Sequence, residues 1–291
     1  MTPRIALIGL GTMGSGMAGR LLQAGYPLSV YNPHTERAAA LVDRGAILAS
    51  SPRGAAGNAD VIIAMVPDDV ASRDVWLGPN GALHGAKAGA VAIDCSTLTP
   101  AWVRELAAAA KQRGCEFLDA PVTGSRPQAA SGELLFLVGG DAATLEKVRP
   151  VLQHMSRDMV HLGPAGSGAL MKLINNFVCG VQAAALGEAM ATIEKSGLDR
   201  DKAVSILANG APGSPLVKGV SARMMERTYE VFFKLRLMRK DLTYASEEAA
   251  AHGVELRTVA AALGLFSQAC ELGWGDRDMS AVVEALRGGR P

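Results

Sequence analysis

The residues best equipped for chemistry are three glycines near the start of the chain and a lysine–asparagine pair near its middle. "GLGTMG" (9–14) follows an apolar run and precedes a helical pattern. In that setting Gly9 permits a tight turn, Gly11 lets a ligand approach the backbone, and Gly14 lets the helix pack closely on the strand. Leu10, Thr12 and Met13 complete the turn, and the helix behind it offers N–H groups and a positive dipole end to a pyrophosphate. The pattern predicts a bound nicotinamide dinucleotide. "MKLINN" (171–176) sets Lys172 and Asn176 four residues apart on one helix face, so both address one ligand. Asn175 projects about 100° round that helix. Pattern alone leaves two readings of Lys172: snorkelling to solvent, or held for a purpose.

The second apolar run ends at Asn32, where an NAD-specific site expects an acidic residue accepting from the ribose hydroxyls. A neutral amide followed by His34, Thr35 and Arg37 suits a 2′-phosphate better, so NADP(H) is the expected cofactor, with NAD(H) as the alternative. The bland reading has Thr35 capping the next helix and Arg37 solvated. "MVPDD" (65–69) and "DCST" (94–97) end two further runs. Carboxyl-end loops line the crevice of an open parallel sheet, so Val66, Pro67 and Thr97 are candidates for flanking the cofactor.

These residues need a scaffold, and the patterning supplies one. Up to about residue 163, short apolar runs (5–10, 28–32, 61–66, 90–94, 116–121, 134–140) alternate with Ala-rich helical stretches (13–24, 35–44, 100–113). Continuous rather than alternating hydrophobicity in the runs implies a mostly parallel sheet covered on both faces. Beyond "HLGPAGSG" (161–168) the strand signal stops. A helix is expected over 168–195, with Gly197 at its C-cap, and then only helices, punctuated at 209–215, 251–253 and 274–278. The predicted fold class is α/β. A Rossmann-type doubly wound sheet (1–163) is followed by an all-α domain (164–291), with a long interdomain helix joining them.

Composition narrows the function. Aromatic residues are 4% of the 291 and net charge is +1, which argues against a base-stacking or phosphate-tracking surface. The start lacks the sections of a signal peptide, so the expected location is cytoplasmic. The apolar stretch 173–187 reads as too short and too polar to span a bilayer. Cys95, Cys115, Cys179 and Cys270 have no metal-ligand spacing and read as small reduced thiols, so no metal is expected.

Four segments occur in order: "GLGTMGSGMAGRL" (9–21), "DAPVTGSRPQAASG" (119–132), "GSGALMKLINN" (166–176) and "LMRKDLTYA" (237–245). Together they resemble the β-hydroxyacid dehydrogenases, the family of 3-hydroxyisobutyrate, tartronate semialdehyde and 6-phosphogluconate dehydrogenases. "TGSRP" (123–127), "GAPGSP" (210–215) and "GWGDRDMSAVVEAL" (273–286) look most like its glyoxylate and succinic semialdehyde reductase branch, which prefers NADPH. The resemblance implies that Lys172 is the catalytic acid/base and that Asn176 binds substrate and orients it. It also implies that Lys240 closes over substrate and nicotinamide, positioned by Asp241. Thr123, Gly124 and Ser125 form a turn suited to a substrate carboxylate. Much of the family has glycine where Ser125 stands. Arg126 is a candidate clamp for a second acidic group. The implied partners are a small acidic aldehyde or hydroxy acid and further copies of the chain, as homodimer or homotetramer, with neither nucleic acid nor membrane.

Three other readings compete. Imine reductases share the architecture but usually replace the lysine with aspartate or tyrosine. Non-catalytic scaffolds lose the lysine. A 6-phosphogluconate dehydrogenase needs a histidine within the lysine–asparagine motif, and "KLINN" has none. Within the family, 3-hydroxyisobutyrate-, threonate- or serine-type oxidation is the alternative to aldehyde-acid reduction.

Overall fold

The computed structural model describes residues 2–291. They divide into two compact units, one ending at Lys172 and the other spanning Leu173–Pro291.

The first unit is built on β1 (Ile5–Ile8), β2 (Leu28–Tyr31), β3 (Ile47–Leu48), β4 (Val61–Ala64), β5 (Val91–Asp94), β6 (Glu116–Asp119), β7 (Val122–Thr123), β8 (Leu134–Gly140) and β9 (Ser156–Gly163). They form one sheet in the order β3-β2-β1-β4-β5-β6-β8-β7, with β9 on β8. The strands from β3 across to β6 are parallel; β8 runs antiparallel to β6 and β7 and parallel to β9. The connecting helices are α1 (Gly14–Gln23), α2 (Ala39–Val42), α3 (Pro52–Ala56), α4 (Asp69–Leu77), α5 (Pro100–Gln112), α6 (Arg126–Ser131) and α7 (Ala142–Leu152). The predicted alternation of strand and helix is therefore present.

Its physical cause is visible in where single strands send their side chains. Ile5 and Leu7 of β1, Val61 and Ile63 of β4 and Ile93 of β5 join a core with Met17 and Leu21 of α1. Ala6, Ile8, Ile62 and Ala92 join a second core, on the other face, with Trp76 of α4 and Trp102 of α5. A strand buried on both faces has no polar alternation to display.

Three strands lie outside the expected set. β3 is two exposed residues, and β7 is a short return after the strand expected over 116–121 stops at Asp119. β9 is an edge strand, at most half-buried, so "SRDMVHLG" carries no apolar run to recognise. The helix expected over 35–44 splits into a 3₁₀ turn, Thr35–Ala38, and α2.

α8 (Ser167–Ser196) starts in the first unit and continues through the second. It is followed by α9 (Arg200–Asn209), α10 (Pro215–Glu226), α11 (Leu235–Ala251), α12 (Arg257–Glu271) and α13 (Glu284–Arg287). Gly197, just past α8, has φ of 77°, the left-handed conformation that ends helices on glycine. α8 is long and apolar enough, by length and composition, to cross a membrane, contrary to the expectation from 173–187. Its Ala183, Leu186, Met190 and Ile193 are instead part of the second unit's core, with Met238, Leu242 and Phe266. Asp199 and Ser214 cap α9 and α10 by accepting from the N–H groups of Lys202 and Val217. α13 is anchored by Arg287, which donates to Glu284 at 2.7 Å and also to Glu194 of α8. Burial and the neighbouring Glu284 hold the Tyr229 hydroxyl well above its usual pKa.

Candidate active site

The glycine turn has a separate reason for each glycine. Gly9 has φ of 96°, and a Cβ there would sit 2.2 Å from the Met65 carbonyl oxygen at the end of β4. A Cβ on Gly14 would sit 1.9 Å from the Gly9 carbonyl oxygen. A Cβ on Gly11 would meet nothing within 4 Å. The protein's own packing therefore demands Gly9 and Gly14 and makes no demand at Gly11. That position opens into a space the backbone can offer to a ligand. α1 has neither a side-chain cap nor an acidic residue in its first turn, so its leading N–H groups and dipole end suit an anion. Leu10, Thr12 and Met13 lie in the turn as expected, with Leu10 buried and Thr12 exposed. The turn thus fits a dinucleotide pyrophosphate.

Asn32 is buried, and both ends of its amide are committed. Its Oδ1 accepts from the Leu10 N–H at 2.9 Å, and its Nδ2 donates to the His34 carbonyl at 2.9 Å. It ties the glycine turn to the segment after β2. Thr35 makes no capping hydrogen bond, so the bland reading of that residue is not what the structure contains. His34, Thr35 and Arg37 are all exposed, with His34 Nδ1 3.8 Å from Glu36.

The strand-end loops at 65–69 and 94–97 are joined by a carboxylate that sequence reasoning left unassigned. Asp94 is buried at the end of β5, and its Oδ1 accepts from the Ser96 N–H at 2.8 Å. Its Oδ2 accepts from Ser72 Oγ and Trp76 Nε1, each at 2.8 Å, and Trp102 Nε1 donates to Ser72 in turn. Ser96 Oγ then accepts from the Val66 N–H at 2.9 Å. Val66 and Thr97 are half-buried and Pro67 is exposed. Burial raises the Asp94 carboxyl pKa, and the bonds from Ser96, Ser72 and Trp76 oppose the shift. An acidic residue closing the run "AVAID" was the available signal.

"PVTGS" does form a turn, with a correction to its donors. Gly124 has φ of 112°, and Ser125 is the N-cap of α6. The Ser125 N–H donates to Gln128 Oε1 at 2.9 Å, within a capping box, so the expected cradle loses that donor. Of the cradle's other two residues, Thr123 is half-buried and Gly124 exposed. Ser125 has extended backbone (φ −132°, ψ −168°), which explains why serine replaces the family's glycine without strain. Arg126, the first residue of α6, is exposed.

Lys172 is half-buried in the second turn of α8, whose start is gripped by Asp119 at the end of β6. Asp119 Oδ1 accepts from the Gly166 N–H and Oδ2 from the Ala169 N–H, both at 2.8 Å. Burial pushes the Asp119 carboxyl up and these bonds pull it down.

Within the second unit, Asn176 and Asp241 are buried, and Asn176 Nδ2 donates to Asp241 Oδ2 at 2.6 Å. Lys240 Nζ lies 3.0 Å from Asp241 Oδ1 and 4.9 Å over the Tyr244 ring. The Lys240–Asp241 contact is an ion pair without hydrogen-bond geometry, since Asp241 Oδ1 is buried and accepts no hydrogen bond. Asn175 donates to Asn176 Oδ1 at 2.9 Å, which makes it part of the same chain of bonds rather than a bystander. Lys240 also lines a shallow cavity of about 350 Å³ with Arg239, Thr243, Tyr244, Leu263 and Ser267. Among the described residues no cluster of His, Cys, Asp and Glu could hold a metal.

Two family models match the chain in succession. Residues 4–163 match the NAD-binding domain of 6-phosphogluconate dehydrogenase. Residues 166–286 match the NAD-binding domain of NADP-dependent 3-hydroxyisobutyrate dehydrogenase. The chain belongs to the β-hydroxyacid dehydrogenase family. Among its relatives, a Pseudomonas aeruginosa protein named NAD-dependent L-serine dehydrogenase is 37% identical, with 96% of each chain aligned. The Arabidopsis thaliana glyoxylate/succinic semialdehyde reductase 2 is 35% identical over 98% of this chain and 80% of its own. The solved structure of Mycobacterium tuberculosis 3-hydroxyisobutyrate dehydrogenase with L-serine superposes with a TM-score of 0.87 at 32% identity, covering 99% of this chain and all of the other. As a β-hydroxyacid dehydrogenase the protein is an NAD(P)-dependent oxidoreductase acting on hydroxy acids, and it binds a nicotinamide cofactor.

Proposed function

We propose that this β-hydroxyacid dehydrogenase reduces a small aldehyde acid, glyoxylate or succinic semialdehyde, with NADPH, and that Lys172 is its general acid. The observation that carries the reading is the half-buried ammonium of Lys172 on a helix otherwise rich in apolar side chains. Gly9, Gly11 and Gly14 with the start of α1 hold the pyrophosphate, flanked by Val66, Pro67 and Thr97. Bound there, the reduced nicotinamide supplies the hydride that the substrate carbonyl carbon accepts. The Thr123 hydroxyl and Gly124 N–H bind the substrate carboxylate and fix its orientation. Lys172 gives its proton to the carbonyl oxygen as negative charge develops there, and the neutral amine is reprotonated from water. In oxidation the neutral amine takes the hydroxyl proton instead. Asn176, whose amide donates to Asp241, hydrogen-bonds the substrate from the next turn of α8. NADPH preference rests on Asn32, a neutral residue where an acid would oppose a 2′-phosphate, with His34, Thr35 and Arg37 beside it.

A second reading is favoured by the relative named for L-serine and by the solved structure carrying L-serine: oxidation of a β-hydroxy acid such as serine, 3-hydroxyisobutyrate or threonate. Initial rates over these acids and both aldehyde acids, with NADP(H) and NAD(H), discriminate. The expected outcome is fastest turnover of glyoxylate or succinic semialdehyde with NADPH. Faster oxidation of L-serine with NAD would replace this reading by the second. NADPH binding without turnover of any acid would point to a scaffold.

A further inference from the structure

Asp119 opens the "DAPVTGS" segment, yet neither the glycine turn nor the substrate turn uses its side chain. The carboxylate ends β6 and is 1% exposed. Both oxygens act as acceptors, from Gly166 and Ala169, so the group stands where the first turn of α8 leaves its N–H groups without helical partners. Room for it has been cleared from two directions. A Cβ on Gly139 of β8 would fall 2.4 Å from Asp119 Oδ1. One on Gly168 would fall 2.2 Å from the Leu137 carbonyl oxygen and 3.0 Å from the Asp119 carbonyl oxygen. No cation accompanies this carboxylate in any described ion pair; its partners are backbone N–H groups. An aspartate used only to start a helix is ordinarily the N-cap itself, local in sequence. Here the acceptor comes from 47 and 50 residues away.

We propose that Asp119 is the positioning residue of Lys172. It joins the strand leading into the Thr123–Gly124 turn to the helix carrying the lysine, fixing the rotation and height of α8 three residues before Lys172. This rests on the assignment of Lys172 as the acid. A lysine set on an unpinned first turn would sample positions on the scale of an ångström, enough to cost reactions of this kind about a hundredfold.

Asp119→Asn keeps the shape and one acceptor but turns an N–H₂ toward one of the two N–H groups. In the full-length protein we expect kcat to fall about ten- to hundredfold, with NADPH affinity from fluorescence titration nearly unchanged and the melting temperature lowered by only several degrees, the usual effect of leaving one buried N–H group without its acceptor. Introduced beside Lys172→Ala, the same change should cost nothing further in residual turnover, since both act through one amine. Asp119→Ser, whose shorter side chain cannot reach both N–H groups and adds no bulk, should reproduce the fall in kcat and serves if Asp119→Asn does not fold. An unchanged kcat would overturn the proposal. So would parallel loss of NADPH affinity, or losses that multiply in the double variant. Failure of the Lys172 assignment reads out separately, as Lys172→Ala retaining full turnover.

Discussion

Substituting alanine at Gly11 and, separately, at Gly14 separates a glycine kept for a ligand from one kept for the fold. At Gly11 the added methyl meets no protein atom within 4 Å, and the residue is not among those with positive φ. Gly11→Ala should therefore leave stability unchanged or raise it by about 0.4–1 kcal/mol, through the lower entropy of the unfolded chain. For a unit of this size that is a rise of at most a few degrees in melting temperature, at about 2–4 °C per kcal/mol. The cofactor is affected differently, because the methyl occupies the space the backbone offers to the pyrophosphate. Losing even one charge-assisted hydrogen bond, at about 1.5–3 kcal/mol, weakens NADPH binding about ten- to hundredfold. At Gly14 the methyl would lie 1.9 Å from the Gly9 carbonyl oxygen. There α1 must move off β1, and the protein should lose on the order of 3 kcal/mol or fail to fold. Differential scanning fluorimetry with and without NADPH, alongside fluorescence titration, measures both quantities. If Gly11→Ala lowers the melting temperature by several degrees, or binds NADPH within threefold of the natural protein, the division of labour argued here is wrong.

Lys172→Ala should reduce turnover in either direction by about 10²–10⁴-fold, the usual worth of a positioned acid or base, with NADPH affinity preserved in a titration. Asn32→Ala leaves the Leu10 N–H and the His34 carbonyl without their buried partner, so urea unfolding should show a loss of about 1–3 kcal/mol, with weaker binding of NADPH and NADH alike. A change confined to one cofactor would instead mean that the amide reads the ribose directly. Asp94→Asn turns an N–H₂ toward one of its donors and should cost about 1–3 kcal/mol. Because burial raises the folded-state pKa of Asp94 above its ordinary 3.8, the folded protein holds the extra proton between the two values. Asp94's contribution to stability then falls as pH rises through that window and is level above it. The stability difference between natural protein and Asp94→Asn should widen on acidification from pH 7.5 toward 4, and a difference that narrows would contradict the assigned direction.

The doubly wound half was legible because its central strands are apolar at every position, a pattern that both covered faces impose together. The same logic hid β9, which as an edge strand needs no such run, and β3, which is two exposed residues. The helix boundaries near Lys172 were legible from Gly197 and the "GSG" start. Asn32 was singled out for its type, but a residue type does not say where its two amide ends go. They hold the Leu10 and His34 backbone, so the amide shapes the glycine turn. Ser125 looked like a substrate donor, and the glutamine three residues on was the sign that its N–H belongs to a capping box.

The buried carboxylates have a common physical form. Asp94, Asp119 and Asp241 are each about 1% exposed, and each takes hydrogen bonds from groups distant in sequence: Ser72 and Trp76, Gly166 and Ala169, Asn176. Burying a carboxylate is costly unless its acceptor sites are filled: Asp94 and Asp119 have donors on both oxygens, while Asp241 has Asn176 on Oδ2 and the Lys240 ammonium 3.0 Å from Oδ1. Which donors arrive depends on strand order and helix placement, not on local pattern. A buried aspartate at the end of an apolar run thus announces that something is being held while withholding what it holds. In this chain the first holds the Val66 loop through Ser96, the second the start of the lysine helix, and the third Asn176 with Lys240. Substitutions at the three carboxylates should therefore disturb the geometry of what they hold as well as cost stability.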